Sequence, residues 1–200
     1  MNADPDNRLL WHIKRRRLEA EPFRDAILAT SDKLDPSMGG TLLTTNDNDY
    51  VTNDQSGNAA QYSSTRRSVY LPIIRNALYD MFQVFDVGDP SAAMPHRAAT
   101  TVAPQALYVM NSPFVIEQSR AFAENLLKLP GTDTDRLTAA YRKALDRAPS
   151  QQEIIRATGY LTNYAARLAP VEPDAAKRKL KAMQSFCQIL FASNEFLYLD

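Results

Sequence analysis

Apolar side chains recur at helical spacing through most of this chain. Leu78, Met81, Phe82 and Phe85 mark a short amphipathic helix, ended by the turn residues of "VGDPS". Leu137, Ala140, Tyr141, Ala144 and Leu145 mark a second. Ser150 with Glu153 reads as a reciprocal cap opening a third, whose stripe is Ile154, Thr158, Leu161, Ala165 and Leu168. A last helix is predicted after Pro173, with Ala176, Leu180, Met183, Cys187, Leu190 and Phe191 inward. Towards the N-terminus, Asp4-Pro5 and Glu21-Pro22 both have the form of a helix start, because proline costs little where the first N–H has no partner. Leu9, Leu10 and Ile13 would be the buried stripe of the first; Phe23, Ala26, Ile27 and Leu34 follow the second. "DPSMGG" then breaks the pattern, and its glycine pair permits positive φ.

From Thr41 to Leu71 the period changes. "TLLT" and "DYVT" are short β-type runs around the turn composition Asn46-Asp47-Asn48, and "NDQSGN" is a second turn. "RRSVYLP" reads as a strand, with Arg67, Val69 and Leu71 on one face and Arg66, Ser68 and Tyr70 on the other. The expected fold is therefore mainly α: about seven helices with a small antiparallel β-hairpin insertion over about residues 41–71. Residues 1–200 are expected to form one domain, since a chain of this length buries roughly 70–75% of its unfolded surface.

Between Arg97 and Glu117 the chain carries no charge. A membrane span would need about 20 predominantly apolar residues in an unbroken helix. Thr100, Thr101, Pro104, Gln105, Asn111, Ser112 and Pro113 interrupt this run, so no span is expected. They fit helix ends instead: Thr100 or Thr101 as a cap before Pro104, Asn111 as a left-handed stop, Ser112-Pro113 as the next start. Two helices with a tight, interior corner are predicted, the first partly burying Ala106, Leu107, Val109 and Met110. The second would bury Phe114, Val115, Phe122 and Leu126. The charge-free run from Ala182 to Asn194 is the expected packing surface.

Charge narrows the function. Lys plus Arg number 23 and Asp plus Glu 23, which is not the basic footprint of a nucleic-acid binder. Arg15-Arg16-Arg17 is the densest basic run and reads as a solvated or salt-bridged helix face. The single cysteine, Cys187, falls in an apolar stripe and reads as a small buried hydrophobe. No CxxC or CxxCH occurs, so no covalent haem and no other cofactor is expected in this chain. The start "MNADPDNRLL" has neither the charged nor the apolar region of a secretory signal and reads as the beginning of a segment of something longer.

Chemistry is sparse. No dinucleotide fingerprint, Walker motif, nucleophile elbow or zincin signature occurs, and only His12 and His96 are present. "NDNDYVTND" offers Asp47, Asp49 and Asp54 as weak calcium ligands, but its spacing departs from an EF-hand loop. Arg66, Arg67 and Arg97, with Tyr70, could grip a carboxylate, a sulfate or a sugar edge. They could equally pair with Asp86, Asp89 or Glu195 to tie the β part to the helices. Gln105 and Asn111 could line a polar site at the charge-free corner or simply satisfy helix ends. An enzyme, hydrolytic or redox, would need a cleft near Asp86, Asp89, His96 or Glu117.

Five stretches together carry a family resemblance: "DNRLLWHIKRRRLEAEPFRDAILATSDKLDPSMGG", "TRRSVYLPIIRNALYDMFQVFDVGDPS", "TTVAPQALYVMNSPFVIEQSRAFAENLL", "YRKALDRAPSQQE" and "FCQILFASNEFLYLD". In that order they resemble the C-terminal part of the planctomycete domain of unknown function 1553. The resemblance implies the C-terminal portion of a large exported protein of the periplasm or cell envelope, often with a cytochrome-c-like domain upstream. It supplies no catalytic residues. Asp146 stands where the resemblance leads one to expect glycine. A structural or interaction module is the leading reading, with upstream domains or another envelope protein as partner. The alternative is a module for an acidic or sulfated glycan, and the third an enzyme.

Overall fold

The computed structural model describes residues 8–9, 15–42, 62–73, 78–88, 97 and 100–199. Among these are eight α-helices. They are α1 (Ala20–Thr30), α2 (Asp80–Val84), α3 (Ala103–Asn111), α4 (Pro113–Lys128), α5 (Asp133–Leu145), α6 (Gln151–Leu168), α7 (Ala175–Phe191) and α8 (Asn194–Leu197). The mainly helical class read from the sequence is what the chain adopts. The helix start proposed at Asp4-Pro5, the run "TLLT" beyond Leu42, the run "DYVT", and Asp47, Asp49 and Asp54 lie outside the described residues. Leu9, expected in a buried stripe, is exposed.

Helix starts follow their local chemistry. In α5 the Thr132 hydroxyl accepts from Asp135 N at 3.3 Å, while Thr132 N donates to Asp135 Oδ2 at 2.7 Å. Gly131, just before it, has φ +103°, and a Cβ there would stand 2.7 Å from Asp135 Oδ2, so the turn requires glycine. Ser150 and Glu153 cap α6 reciprocally, as expected. Asp174 accepts from Ala176 N and Lys177 N and starts α7 directly after Pro173.

α4 and α7 form the central packed pair; α6 and α5 flank α7, and α1 leans on α4. A chain of aromatic rings joins distant elements: Phe23 to Phe85 at 5.0 Å, Phe191 to Phe196 at 5.1 Å and Phe122 to Phe191 at 5.9 Å. Cys187 is fully buried there, and burial pushes its thiol pKa far up, so it is a core residue.

Among the described residues the small antiparallel sheet lies outside 41–71. β1 (Arg16–Arg17) pairs with β2 (Tyr198–Leu199), with Arg17 opposite Tyr198. Arg16 and Arg17 of the basic run are thus strand, not helix face, and Arg17 is buried against Asp86 at 2.6 Å. The segment read as a strand at 66–72 forms one bridge, Asp35 with Arg66, then a 3₁₀ turn at Ser68–Tyr70. Arg66 O and Ser68 N are satisfied by α1 side chains, and Tyr70 N and Leu71 N within the turn, in place of a ladder.

The charge-free stretch folds as two helices with a tight corner, and Ser112-Pro113 starts the second. Two details differ. Thr100 does not cap α3, because its hydroxyl is held by Asp86 at 2.8 Å; Gln105 Oε1 instead accepts from Val102 N at 3.3 Å. Asn111 keeps negative φ and its Nδ2 donates to Leu107 O at 2.9 Å. The corner is also less interior than its composition implies: Val109 is buried, but Leu107 and Met110 are 54% and 52% exposed. From the Ala182–Asn194 run, Gln188 donates to Val109 O and Met110 O, and Gln184 to Ile116 O.

Candidate functional site

The outward face of α1 forms one side of an open groove of about 1220 Å³. Pro22, Ala26 and Ala29 share that side, so no large side chain fills it. The opposite wall carries Val69, 75% exposed, and Ile73, 47% exposed, above the buried Leu71 and Phe82. Glu19, Glu21, Asp25, Arg67 and Arg97 supply its charges.

Two consecutive residues of α1 hold that wall. Arg24 is 1% exposed; its Nη1 donates to Arg66 O at 2.9 Å and Ser68 Oγ at 3.2 Å, and its Nη2 donates to Ser64 O. Asp25 Oδ1 accepts from Ser68 N at 2.8 Å and Ser68 Oγ at 2.7 Å. Burial lowers the Arg24 pKa, opposed by neighbouring Tyr79 and by Asp25, whose Oδ1 is 3.5 Å from Nη1. Sequence reasoning missed Arg24: helical periodicity marks only apolar positions, and its hydrogen-bond partners are 40 to 44 residues away.

The residues singled out from the sequence do not converge on one point. Arg67 and Arg97 both line the groove. Arg97 is committed to Glu21 at 2.7 Å and Glu19 at 3.1 Å, and hydrogen bonding to Glu21 raises its pKa. Arg67 is exposed and has no ion pair or side-chain hydrogen bond among the described residues. Arg66 and Tyr70 hold the glycine turn instead: Arg66 Nη2 donates to Ser37 O and Gly39 O, and Gly39 N donates to Tyr70 Oη at 2.9 Å. The Arg66 guanidinium also sits over the Tyr70 ring at 4.0 Å. Gln105 is buried at the start of α3, donating to Val84 O at 3.1 Å. Asn111 lines a separate cleft of about 620 Å³.

Asp86, offered above both as an arginine partner and as a catalytic candidate, is tied up by Arg17 and by Thr100 N at 2.8 Å. Glu195 pairs with Arg147 rather than with the β-type segment. Asp89 and His96 lie outside the described residues; among the described residues no cluster of three His, Cys, Asp or Glu side chains suited to a metal occurs.

A narrower cleft of about 370 Å³ lies between α1, residues 62–65 and the start of α4. It shares Tyr79 and Phe114 with the Asn111 cleft. Tyr62 stacks on Tyr79 at 5.2 Å, and Arg24 approaches the Phe114 ring at 5.7 Å. Burial pushes the Tyr108 pKa well above that of a free phenol.

The fold and these surfaces define a helical domain with a peptide-sized groove and no recognisable catalytic constellation among the described residues. Residues 1–161 match the family model PSD1, a protein of unknown function (DUF1553), and the chain belongs to that family. No curated protein and no solved structure matches it. No helix among the described residues is long and apolar enough to cross a membrane.

Proposed function

We propose that this chain is a non-catalytic docking domain of a larger envelope protein, and that the groove along α1 receives a segment of that protein's preceding portion. The periplasm or cell envelope is the proposed compartment, with cytochrome-c-like domains as upstream neighbours. The observation that carries the reading is the groove itself. Its volume exceeds the roughly 300–1,000 Å³ of small-molecule sites, and its wall keeps Val69 75% exposed. Large apolar side chains beside a groove are what an amphipathic segment needs for anchoring. Arg67 sets the partner's charge: it is the guanidinium of the wall not engaged by described residues, so the docked segment presents a carboxylate to it.

The glycan alternative, built on Arg66, Arg67, Tyr70 and Arg97, draws less support, since Arg97 is paired with Glu19 and Glu21 and Arg66 donates to the carbonyls of Ser37 and Gly39. Amide hydrogen exchange tests the docking reading. The chain is compared alone and with the preceding portion of a full-length family member. Protection confined to residues 20–30 and 67–73 supports the groove; protection elsewhere, or none, removes it.

A further inference from the structure

The narrow cleft beside Tyr79 combines one buried donor of a kind that a folded chain rarely leaves unpaired, on Arg24, with an amide donor open to the cleft, on Gln118. Gln118 is only 5% exposed. Its Oε1 accepts from Ser31 Oγ at 2.8 Å, while its Nε2 has no hydrogen bond among the described residues. Arg24 lines the same cleft, 1% exposed, and its Nε is also unpartnered. The nearest carboxylate oxygen, Asp25 Oδ1, is 3.5 Å from Nη1 and already accepts two hydrogen bonds from Ser68.

A buried, incompletely compensated cation beside an unpaired amide N–H favours an anionic acceptor over water, because the low local dielectric strengthens the attraction. The walls define the rest of the ligand. Tyr79 and Phe114 are aromatic and the space is about 370 Å³, near the lower limit for small-molecule sites. Glu117 also lines the cleft and is exposed, which disfavours a polyanion.

We infer that this cleft binds a monocarboxylate carried on a six-membered ring, with the carboxylate on Gln118 Nε2 in the field of the buried Arg24 and the ring against Tyr79 and Phe114. A uronic acid and an aromatic acid share that chemistry, and the test separates them. The ¹⁵N-labelled chain is titrated with glucuronate and with benzoate, and with glucose and benzyl alcohol as neutral counterparts. The Gln118 side-chain amide pair is the reporter. The expected result is a saturable shift with at least one acid at about 10 mM and binding of its neutral counterpart about tenfold weaker or more; the acid that saturates identifies the source.

Gln118→Glu keeps the oxygen that serves Ser31 and replaces the donor by an acceptor. It weakens the acid about tenfold with the melting temperature little changed. Where that variant melts early, Glu117→Gln decides: removing the exposed charge tightens the acid. No shift with either acid, equal binding of the neutral ring, unweakened binding to a folded Gln118→Glu, or no tightening by Glu117→Gln overturns the assignment.

Discussion

Arg24 occupies a helical position that spacing alone would assign to a hydrophobe, beside Phe23 and Ile27. It acts as a clamp, since two carbonyls and a serine hydroxyl depend on it. Replacing Arg24 by Met removes the cation and leaves those carbonyls unpaired, so urea denaturation should show a loss of about 3 kcal/mol. Asp25→Asn, which retains an acceptor for Ser68, should cost only about 1 kcal/mol. Asp146 makes the opposite case. It ends α5 at φ +53°, a region where an L side chain costs about 1–2 kcal/mol and glycine does not. Asp146→Gly is expected to stabilise the chain by about 1 kcal/mol, or about 2–4 °C in a thermal melt. The resemblance pointed to glycine here, and the left-handed φ gives its physical reason.

At the scale of elements, what is local in sequence was legible. Ser150 with Glu153 and Asp174 after Pro173 cap their helices where expected, because a cap needs only residues two or three positions away. Ser112-Pro113 instead starts its helix through the proline at the first position, without a side-chain cap bond from Ser112. Residues 66–72 show the limit. Their alternation resembles a strand, but α1 supplies partners for Arg66 O and Ser68 N from more than 40 residues away. The 16–17 strand was illegible for the same reason, its partner being at the other end of the chain.

One tie between elements has a measurable pH signature. Arg147 bonds Glu153, in α6, at 2.7 and 3.0 Å, and Glu195, in α8, at 2.8 Å. Bonding to Arg147 and to Ser150 N holds the Glu153 pKa down to about 2, and Arg147 lowers that of Glu195 as well. Groups with lowered folded pKa values stabilise fully above the ordinary carboxylate range and lose that contribution as pH falls towards the folded value. Stability should therefore drop between about pH 5 and pH 2. Arg147→Met should cost about 1 kcal/mol at pH 7, a figure discounted for the solvent at this half-exposed site, and flatten the drop.

Across the whole molecule, the helical class and the packing of α4 against α7 follow from periodicity, since α7 buries an apolar stripe and α4 a mainly apolar one interrupted by Gln118 and Ser119. The candidate site does not. The groove is a relation between α1 and residues 67–73, and periodicity along one element cannot show what a second element leaves uncovered. Composition also overstated burial at the corner, where Leu107 and Met110 reach solvent although no charge is near in sequence.

The central claim is that the α1 groove is the docking face, and titration calorimetry tests it most directly. The preceding portion of a full-length family member is titrated into the wild-type chain, Val69→Asp and Ile155→Asp, the last altering an exposed α6 residue outside the groove. All three chains should melt within a few degrees of one another. Val69→Asp is predicted to weaken binding about tenfold or more, while Ile155→Asp leaves it unchanged. Equal affinity for all three chains, or no binding by the wild type, would contradict the account.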